Sequence, residues 1–467
     1  MKRFPRLTTT ERLQVTLLNT LPAFARGIAI ARPKTVSLLN RLQVDRRMVD
    51  LFDRLRERYR GLPVWISSVN GPTLLLLSPR HVERVLGGSD QLYTPDTKDK
   101  HRALGVFQPH GVIVSRGELR VKRRQFNEAI LDTSQPAHAE RYARIVAAEI
   151  DAMMTGPGRD GTLIWPEIKR AFDCVARRVV LGDGAREDVD STRLLAKLRR
   201  EANSLGAKPG TRRRVAAWKA DWDNRLARYA ESAPADSLIG RVTDTYAETE
   251  VRPLGQVTQW LTALDMVPVL AARTLALLAS HPEHFARANE ELAAADAHHG
   301  ASTAASIAAQ PYLQACVMEA ARLWPAVPNL ARATTRPLDW DGVILKTGTT
   351  MVIPALYHAR SRRQGRFAHR FTPERWLDGG LDRDWTIMPF SLGPARCAGA
   401  MLGGLLATAG CAALLRQAYV RLNTPRLAPD KPLPMAMPVT DISLAVGAKP
   451  VTPAPVATAS GASASGQ

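Results

Sequence analysis

A loop bracketed by glycines and followed by a long apolar run constrains this chain more than any other stretch. Phe390, Gly393, Cys397 and Gly399 form the pattern Phe-x-x-Gly-x-x-x-Cys-x-Gly, and the alanine- and leucine-rich residues after it predict a buried helix. The cysteine would lie at the helix entrance, where unpaired backbone N–H groups favour a thiolate. The two glycines would allow unusual backbone angles and the close approach of a flat ligand.

Taken alone, Cys397 has two interpretations. A thiolate on such a loop is what axial ligation of haem iron requires. A lone free cysteine beside an apolar helix is more often a small buried hydrophobe than a ligand. The chain has four cysteines without paired spacing, which favours a reducing compartment over a disulfide scaffold, so we expect a cytoplasmic protein.

Charge and length restrict the function classes. The 467 residues carry a net charge of +20, with 64 Lys and Arg spread along the chain. Short basic clusters occur at 120–124 and 211–214, but no helix-turn-helix or zinc-finger spacing accompanies them, so we expect no nucleic acid partner. The apolar Leu13, Leu17, Leu18 and Leu21, among basic residues, could lie on a membrane surface, although packing against the protein body is favoured over that contact.

The pattern of apolar residues indicates a mainly α protein with a small separate set of strands, an α+β arrangement. We expect one domain over 1–447, in which 1–41 is an extension of uncertain packing, and a disordered low-complexity tail over 448–467. An Asn70-Gly71 hairpin, a Lys-Pro-Gly break at 208–210 and a loop-rich stretch over 92–115 are also predicted. Helices are predicted at 42–60, 79–87, 118–131, 137–154, 165–181, 190–250, 256–280 and 311–323, and strands at 62–67, 73–77, 329–334, 338–345 and 350–354.

Two further motifs, at 319–322 and at 373–375, lie before the cysteine loop in the chain. Glu319-Ala-Ala-Arg322 places two opposite charges on one helix face, and Pro373-Glu374-Arg375 lies between that helix and Cys397. Together with the cysteine loop, this order resembles cytochrome P450, most closely a soluble bacterial-type member. The resemblance covers residues from about 42 to about 447. It implies the P450 prism of helices with a smaller β-rich part around a buried haem b, and a monomer.

The resemblance also implies roles for these motifs. Cys397 would ligate the haem iron, and Glu319, Arg322 and Arg375 would form a buried structural triad beneath the haem pocket. Phe390, Gly393 and Gly399 would shape the cysteine loop around the cofactor.

The helix over 256–280 matches the family's oxygen-binding helix. Asp265 stands where the family has an acid, and Met266 stands where it usually has threonine. For Asp265 we favour proton delivery during oxygen reduction, but a salt bridge to another element is the alternative. Pro268 removes a helical hydrogen bond and predicts a kink.

Met266 leaves the reaction type open, because a thioether cannot relay a proton. Monooxygenation of a lipophilic small molecule is the leading interpretation. Isomerisation, dehydration or oxidative coupling on the same fold is the alternative, and a non-catalytic haem or ligand carrier is a third. For monooxygenation, electrons would come from a ferredoxin and ferredoxin reductase type of donor, since the chain shows no flavin or iron–sulfur module.

Arginines are candidates for the haem propionates. The family's basic residue two positions before the cysteine is Ala395 in this chain, and Arg396 stands one before Cys397. Arg332 matches a family arginine that contacts a propionate. Arg124 matches the arginine of the family's Trp/His-x-x-x-Arg element, and Arg120 occupies the aromatic position of that element.

Overall fold

Helices make up most of the protein, which we analysed as a computed structural model. The structure describes residues 3–66, 71–88, 90–204, 210–245 and 250–447. The α-helices are α1 Thr9–Val15, α2 Leu21–Arg26, α3 Pro33–Arg41, α4 Val44–Arg58, α5 Pro79–Leu86, α6 Lys98–Leu104, α7 Gly117–Ile130, α8 Pro136–Thr155, α9 Trp165–Leu181, α10 Val189–Ala202, α11 Arg212–Ser232, α12 Leu238–Thr245, α13 Leu254–Leu264, α14 Val267–Ser280, α15 Pro282–His299, α16 Ala304–Ala308, α17 Pro311–Leu323, α18 Ala355–Arg360 and α19 Ala400–Gln417.

The strands form three small sheets on the edge of the helical body. A five-stranded sheet has the order β1-β2-β8-β5-β3, in which only the β2–β8 pair is parallel. The other sheets are β4-β10-β9 and the hairpin β6-β7. The strands are β1 Val64–Ile66, β2 Thr73–Leu75, β3 Tyr93–Thr94, β4 Thr162–Ile164, β5 Asn329–Thr334, β6 Leu338–Trp340, β7 Val343–Leu345, β8 Thr350–Pro354, β9 Tyr419–Thr424 and β10 Ser443–Gly447.

Apolar periodicity located most of these elements correctly. The predicted helix at 42–60 is α4, whose apolar side includes the buried Met48, Leu51 and Phe52. The loop-rich prediction for 92–115 is wrong in part, because it contains helix α6, capped by the Thr97 hydroxyl. The predicted Asn70-Gly71 turn, most of the break at 208–210 and the tail over 448–467 lie outside the described residues.

One predicted helix is interrupted. The stretch at 256–280 forms α13 and α14, separated by a turn at Asp265 and Met266. Pro268 lies in the first turn of α14 and has no N–H to donate to the carbonyl group of Leu264. The predicted kink is therefore confirmed, and it takes the form of a break between two helical segments.

Helix α19 lies at the centre of the core, as its composition predicted. It packs against α8, α14 and α17. Gly410 also allows a close approach to α9, since a Cβ there would lie 2.4 Å from the Phe172 ring. By length and composition, α19 and the α13–α14 stretch could each cross a membrane, but they are 72% and 67% buried inside this fold.

The N-terminal helices form a layer that is tied to α4. The Thr8 hydroxyl caps α1, and the Glu11 carboxylate accepts a 2.6 Å hydrogen bond from the Tyr59 hydroxyl. Further along, Arg26 forms a 2.7 Å ion pair with Asp45. Packing against the protein's own body is thus confirmed for Leu18, which contacts a core cluster, and is wrong for the exposed Leu13, Leu17 and Leu21.

Candidate functional site

The cysteine loop places Cys397 immediately before α19. Its backbone N–H donates to the Phe390 carbonyl group at 2.8 Å, and its own carbonyl group accepts from the N–H of Ala400 at 3.3 Å. Phe390 is half-buried against the main core, so it supports the loop from within. These bonds fix where the thiol of Cys397 points relative to the start of α19.

The Cys397 side chain is accessible, yet burial among the surrounding residues raises the pKa of its thiol above the ordinary value. The Gly399 N–H and the Arg124 and Arg396 charges lower the same pKa, but less than burial raises it. The thiol alone is therefore a weak acid, and a bound metal cation would displace its proton.

The two glycines of the loop differ in what they do. Gly393 has φ +69°, and a Cβ there would lie 1.9 Å from the Leu86 carbonyl oxygen, so only glycine fits. Gly399 has an ordinary φ of −90°, and a Cβ there would meet only the Leu131 side chain at 3.8 Å. The expectation of unusual backbone angles holds for Gly393 and is wrong for Gly399.

A half-buried lysine and a buried arginine meet beside this loop without a direct ion pair to a described carboxylate. The Ala331 carbonyl oxygen accepts from Lys100 Nζ at 3.2 Å and from Arg332 Nη1 at 3.1 Å. Arg332 also donates to Ser391 Oγ at 3.1 Å, which connects it to the cysteine loop. Neither cation forms an ion pair with a carboxylate of the described residues.

Burial and the proximity of other positive charges disfavour the charged forms of Lys100 and Arg332. Burial and the nearby charges of Arg332 and Arg120 lower the pKa of Lys100 to about 7. Burial and the Arg120 charge lower the pKa of Arg332 to about 10. Arg120 itself donates to Asp90 at 2.9 Å and to the Val112 carbonyl oxygen at 2.7 Å. The Asp96 charge favours the charged form of Lys100 and the Asp90 charge that of Arg332, but less than burial opposes them, so a further anion would stabilise the pair.

The sequence-predicted arginines fall into two groups. Arg332 and Arg120 lie with Lys100, whereas Arg124 donates to the Arg396 backbone carbonyl oxygen and pairs with Glu128 at 2.6 Å. Arg124 thus holds the cysteine loop from outside, and Arg396 is exposed. Lys100 was missed, because its place depends on α6 reaching β5, and no motif in 98–104 indicates that contact.

Asp265 lies in a salt bridge on the turn between α13 and α14. Its carboxylate pairs with Arg199 of α10 and lies 3.7 Å from Lys169 Nζ of α9. Lys169 in turn bonds Asp173 at 2.6 Å. The salt-bridge contact of the alternative interpretation is therefore present, and proton delivery stays a prediction. Met266 next to it is half-buried.

Glu319 and Arg322 are both fully buried and paired at 2.6 Å, as the Glu-x-x-Arg motif implied. Arg375 is not the third member of a buried triad: it is exposed, and its guanidinium stacks on the Phe367 ring at 3.9 Å. The remaining lone pairs of Glu319 are satisfied by the Thr372 N–H and the Trp376 indole instead. The prediction of the pair is confirmed, and that of the triad is wrong, because Phe367 occupies the space beside Arg322.

These features together fit a flat, dianionic group that carries a metal. One accessible thiol could ligate the metal, and no cluster of three or more His, Cys, Asp or Glu ligands occurs among the described residues. Lys100 and Arg332 supply the positive charge that two carboxylates need. The arrangement is the one that a haem-thiolate protein would need, in which Cys397 would be the axial ligand and these cations would bind the propionates.

Comparison with known proteins agrees with this class. Residues 271–443 match the family model of cytochrome P450. The chain is 35% identical over 27% of its length to cytochrome P450 monooxygenase FCK2 of Fusarium pseudograminearum, and 32% identical over 26% to cytochrome P450 4A24 of Sus scrofa. It is 26% identical over 39% to the mitochondrial 1,25-dihydroxyvitamin D(3) 24-hydroxylase of Rattus norvegicus. The aligned parts cover 24%, 24% and 36% of those relatives' own lengths. The matched part of the chain, residues 271–443, is therefore similar to cytochrome P450, and the chain spans about a quarter to a third of the length of these relatives.

Proposed function

We propose that this protein is a haem-thiolate monooxygenase that inserts one oxygen atom from dioxygen into a lipophilic small molecule. The observation that carries the proposal is the desolvated but accessible Cys397 thiol at the entrance of α19. When bound, haem supplies the activation of dioxygen, for which a thiolate ligand is strongly electron-donating. The protein's own side chains bind the substrate, exclude water and control protons.

The substrate side would be largely apolar. On α13, Leu261 and Leu264 are buried, whereas Ala263 between them is exposed, so a small side chain lines open space there. Ala326 and Val327, just before β5, are exposed as well. A surface built from these groups favours a lipophilic ligand by burying its apolar area.

The proposal is tested by the spectrum of the reduced protein under carbon monoxide. We expect the red-shifted Soret band of a thiolate-ligated carbonyl, and we expect Cys397→Ala to lose it. Cys174→Ala removes a half-buried thiol elsewhere and should keep the band. Persistence of the band in Cys397→Ala would show that the ligand is not Cys397.

A second candidate function rests on Met266. Its thioether cannot donate a hydrogen bond, so the turn beside Asp265 lacks the hydroxyl that the family usually has there. We infer an isomerase, dehydratase or oxidative coupling enzyme as the alternative. Product formation without any reductant would favour an isomerase or dehydratase, whereas strict dependence on both reductant and dioxygen would favour monooxygenation.

Asp265→Asn is expected to slow product formation at least ~10-fold while haem content stays intact, because proton delivery contributes ~10²–10⁴-fold in enzymes. Asp173→Asn is the matched control, since it changes the Lys169 side of the same network without touching Asp265. Steady-state turnover at equal haem concentration measures both. Unchanged turnover in Asp265→Asn would leave the salt bridge to Arg199 as the role of this carboxylate.

We propose a small acidic ferredoxin-type protein as the electron donor, with a monomeric enzyme in the cytoplasm. Arg124 donates to the backbone of Arg396, which is exposed and belongs to the cysteine loop. Lys122 lies on the same helix as Arg124. Charge complementarity would steer an acidic partner to this side of Cys397. We further propose that residues 1–447 act as one domain, supported by the bonds from the N-terminal layer to α4.

A weak contact with an anionic membrane surface is a further part of this proposal. Leu13, Leu17 and Leu21 are 58%, 52% and 53% exposed at a spacing of four residues, and residues 12–44 contain no Asp or Glu. We expect binding to anionic phospholipid vesicles that falls at least ~10-fold when the three leucines are replaced by serine. Ile344→Ser, at a 58% exposed site elsewhere, should leave binding unchanged, and equal binding by all three proteins in co-sedimentation would contradict the expectation.

A further inference from the structure

The side chain of Asn203, at the end of α10, holds a short segment of the N-terminal layer. Its Oδ1 accepts from the backbone N–H of Ile28 and Ala29, both at 2.8 Å, and of Ile30 at 3.3 Å. Its Nδ2 donates to the Ile30 carbonyl oxygen at 2.8 Å. One side chain thus binds three successive amides and a carbonyl group of residues 27–30, which are distant in sequence.

Gly27 makes this close contact possible. It has φ +97°, and a Cβ at this position would lie 2.1 Å from the Ile30 carbonyl oxygen and 2.9 Å from Asn203 Nδ2. A side chain at 27 would therefore push the segment away from Asn203 and would strain the backbone as well. The absence of a side chain at Gly27 therefore permits the hydrogen bonds that Asn203 makes with this segment.

The same segment is linked to the break between α13 and α14. Arg199, one turn before Asn203, donates through Nε to the Ala29 carbonyl oxygen at 2.9 Å and through Nη1 to Asp265. Ala29 is 8% exposed and belongs to the main core cluster. A displacement of residues 27–30 would therefore disturb the guanidinium that pairs with Asp265.

A second contact joins the layer to β5. Asn19 is 6% exposed, and its Oδ1 accepts from Asn329 Nδ2 at 2.9 Å. Asn329 opens β5, directly after the exposed Ala326 and Val327. The N-terminal layer therefore bonds to α10 and to β5, and through Arg199 to the α13–α14 turn. The α13–α14 segment and the residues before β5 border the proposed substrate surface, and α10 is joined to that segment through Arg199.

We propose that residues 27–30 form a latch that ties α10 to the N-terminal layer and opens when a bulky ligand enters between α10, α13 and β5. Asn203 sets how firmly the latch is closed, because it makes four of the hydrogen bonds that must break. A ligand small enough to pass without moving α10 would not need the latch to open. Access would then depend on ligand size through a residue remote from Cys397.

Asn203→Ala tests the latch, with Asn203→Asp as the conservative variant and the exposed Asn423→Ala as control. Asp keeps the acceptor for three amides and loses only the donor to Ile30. We expect the amide hydrogens of residues 28–30 to exchange at least ~10-fold faster in Asn203→Ala, since four hydrogen bonds are lost. Association of a bulky aryl-imidazole, followed by the optical shift of the haem, should accelerate several-fold, while imidazole association stays unchanged. Asn203→Asp should be intermediate in both measurements, and Asn423→Ala should match the wild type.

Gly27→Ala provides a second variant, which should accelerate exchange and aryl-imidazole binding in the same direction. The latch rests on the proposed haem site only for the optical signal, so the two ideas fail separately. If no variant shows a haem spectrum, the proposed function fails while hydrogen exchange still reports on the latch. The latch is overturned if residues 28–30 exchange equally fast in wild type and Asn203→Ala. It is also overturned if faster exchange leaves aryl-imidazole association unchanged.

Discussion

Replacing Glu319 by glutamine is expected to lower the free energy of unfolding by ~3–5 kcal/mol, the cost of removing one partner from a buried ion pair. Arg322 is fully buried and donates to both Glu319 oxygens, at 2.7 and 2.6 Å. Its other N–H groups already bond to the carbonyl groups of Ala359, Phe367 and Arg370, so its charge would have no replacement carboxylate. Glutamine also turns an N–H₂ group towards donors that need an acceptor.

Glu374→Gln is the matched control for this prediction. Its carboxylate is 45% exposed and pairs with His284 at 3.3 Å and with Arg287 at 3.6 Å. Ion pairs of this exposure contribute ~0–1 kcal/mol, so little stability should be lost. Urea unfolding of both variants, followed by circular dichroism, measures the difference. A loss below ~1 kcal/mol in Glu319→Gln would mean that the buried pair does not stabilise the fold as its geometry indicates.

The cysteine loop and its helix were predictable, because their information is local. The glycine pattern of the loop and the apolar composition of α19 are visible in the sequence, whereas the contact of Gly393 with the Leu86 carbonyl oxygen is not. The Glu319–Arg322 pair was equally predictable, since residues three apart on a helix lie on the same face. Pro268 likewise identified the break between α13 and α14, because proline has one consistent effect on a helix.

The failures concern contacts between distant segments. Arg375 occupies the expected place in the chain, but Phe367 takes the position beside Arg322 that the resemblance gave to Arg375. Lys100 could not be found because its significance arises only when α6 and β5 bring it to the same carbonyl oxygen as Arg332. The sequence also could not show that Arg120 and Arg124, although only one helical turn apart, contact different parts of the site.

Lys100→Met is expected to have opposite effects on the protein without haem and on the protein with haem. Without haem, burial and the charges of Arg332 and Arg120 oppose the charge of the half-buried Lys100 more than Asp96 favours it. Methionine would remove this charge while filling a similar volume. With haem, a propionate beside Ala331 would gain a charge-assisted hydrogen bond from Lys100. We therefore expect a more stable haem-free protein that releases haem on the order of tenfold faster, the effect of ~1.4 kcal/mol.

The pH dependence follows from the direction of the Lys100 pKa shift. Its pKa is about 7 in the folded protein without haem, well below its ordinary value of 10.5. The charged form is therefore disfavoured by folding. The resulting loss of stability is absent above the unfolded pKa, grows as pH falls from about 10 to about 7, and is complete below the folded pKa. Lys100→Met should remove this part of the pH dependence of the free energy of unfolding. The gain in stability of the variant over the wild type should therefore be small near pH 10 and largest at and below pH 7.

Lys98→Met separates this effect from a general loss of positive charge. Lys98 is exposed at the first position of α6, two residues from Lys100, and its replacement should change neither quantity. Thermal unfolding of the haem-free proteins between pH 6 and 10, together with haem transfer to an excess of acceptor protein, measures both. If Lys100→Met destabilised the haem-free protein at pH 7, Lys100 would be a structural residue. If haem release stayed unchanged, Arg332 and Arg120 alone would bind the propionates. Higher stability without haem together with faster haem release would show that Lys100 serves to bind the anionic cofactor, because its charge is unfavourable until that cofactor is bound.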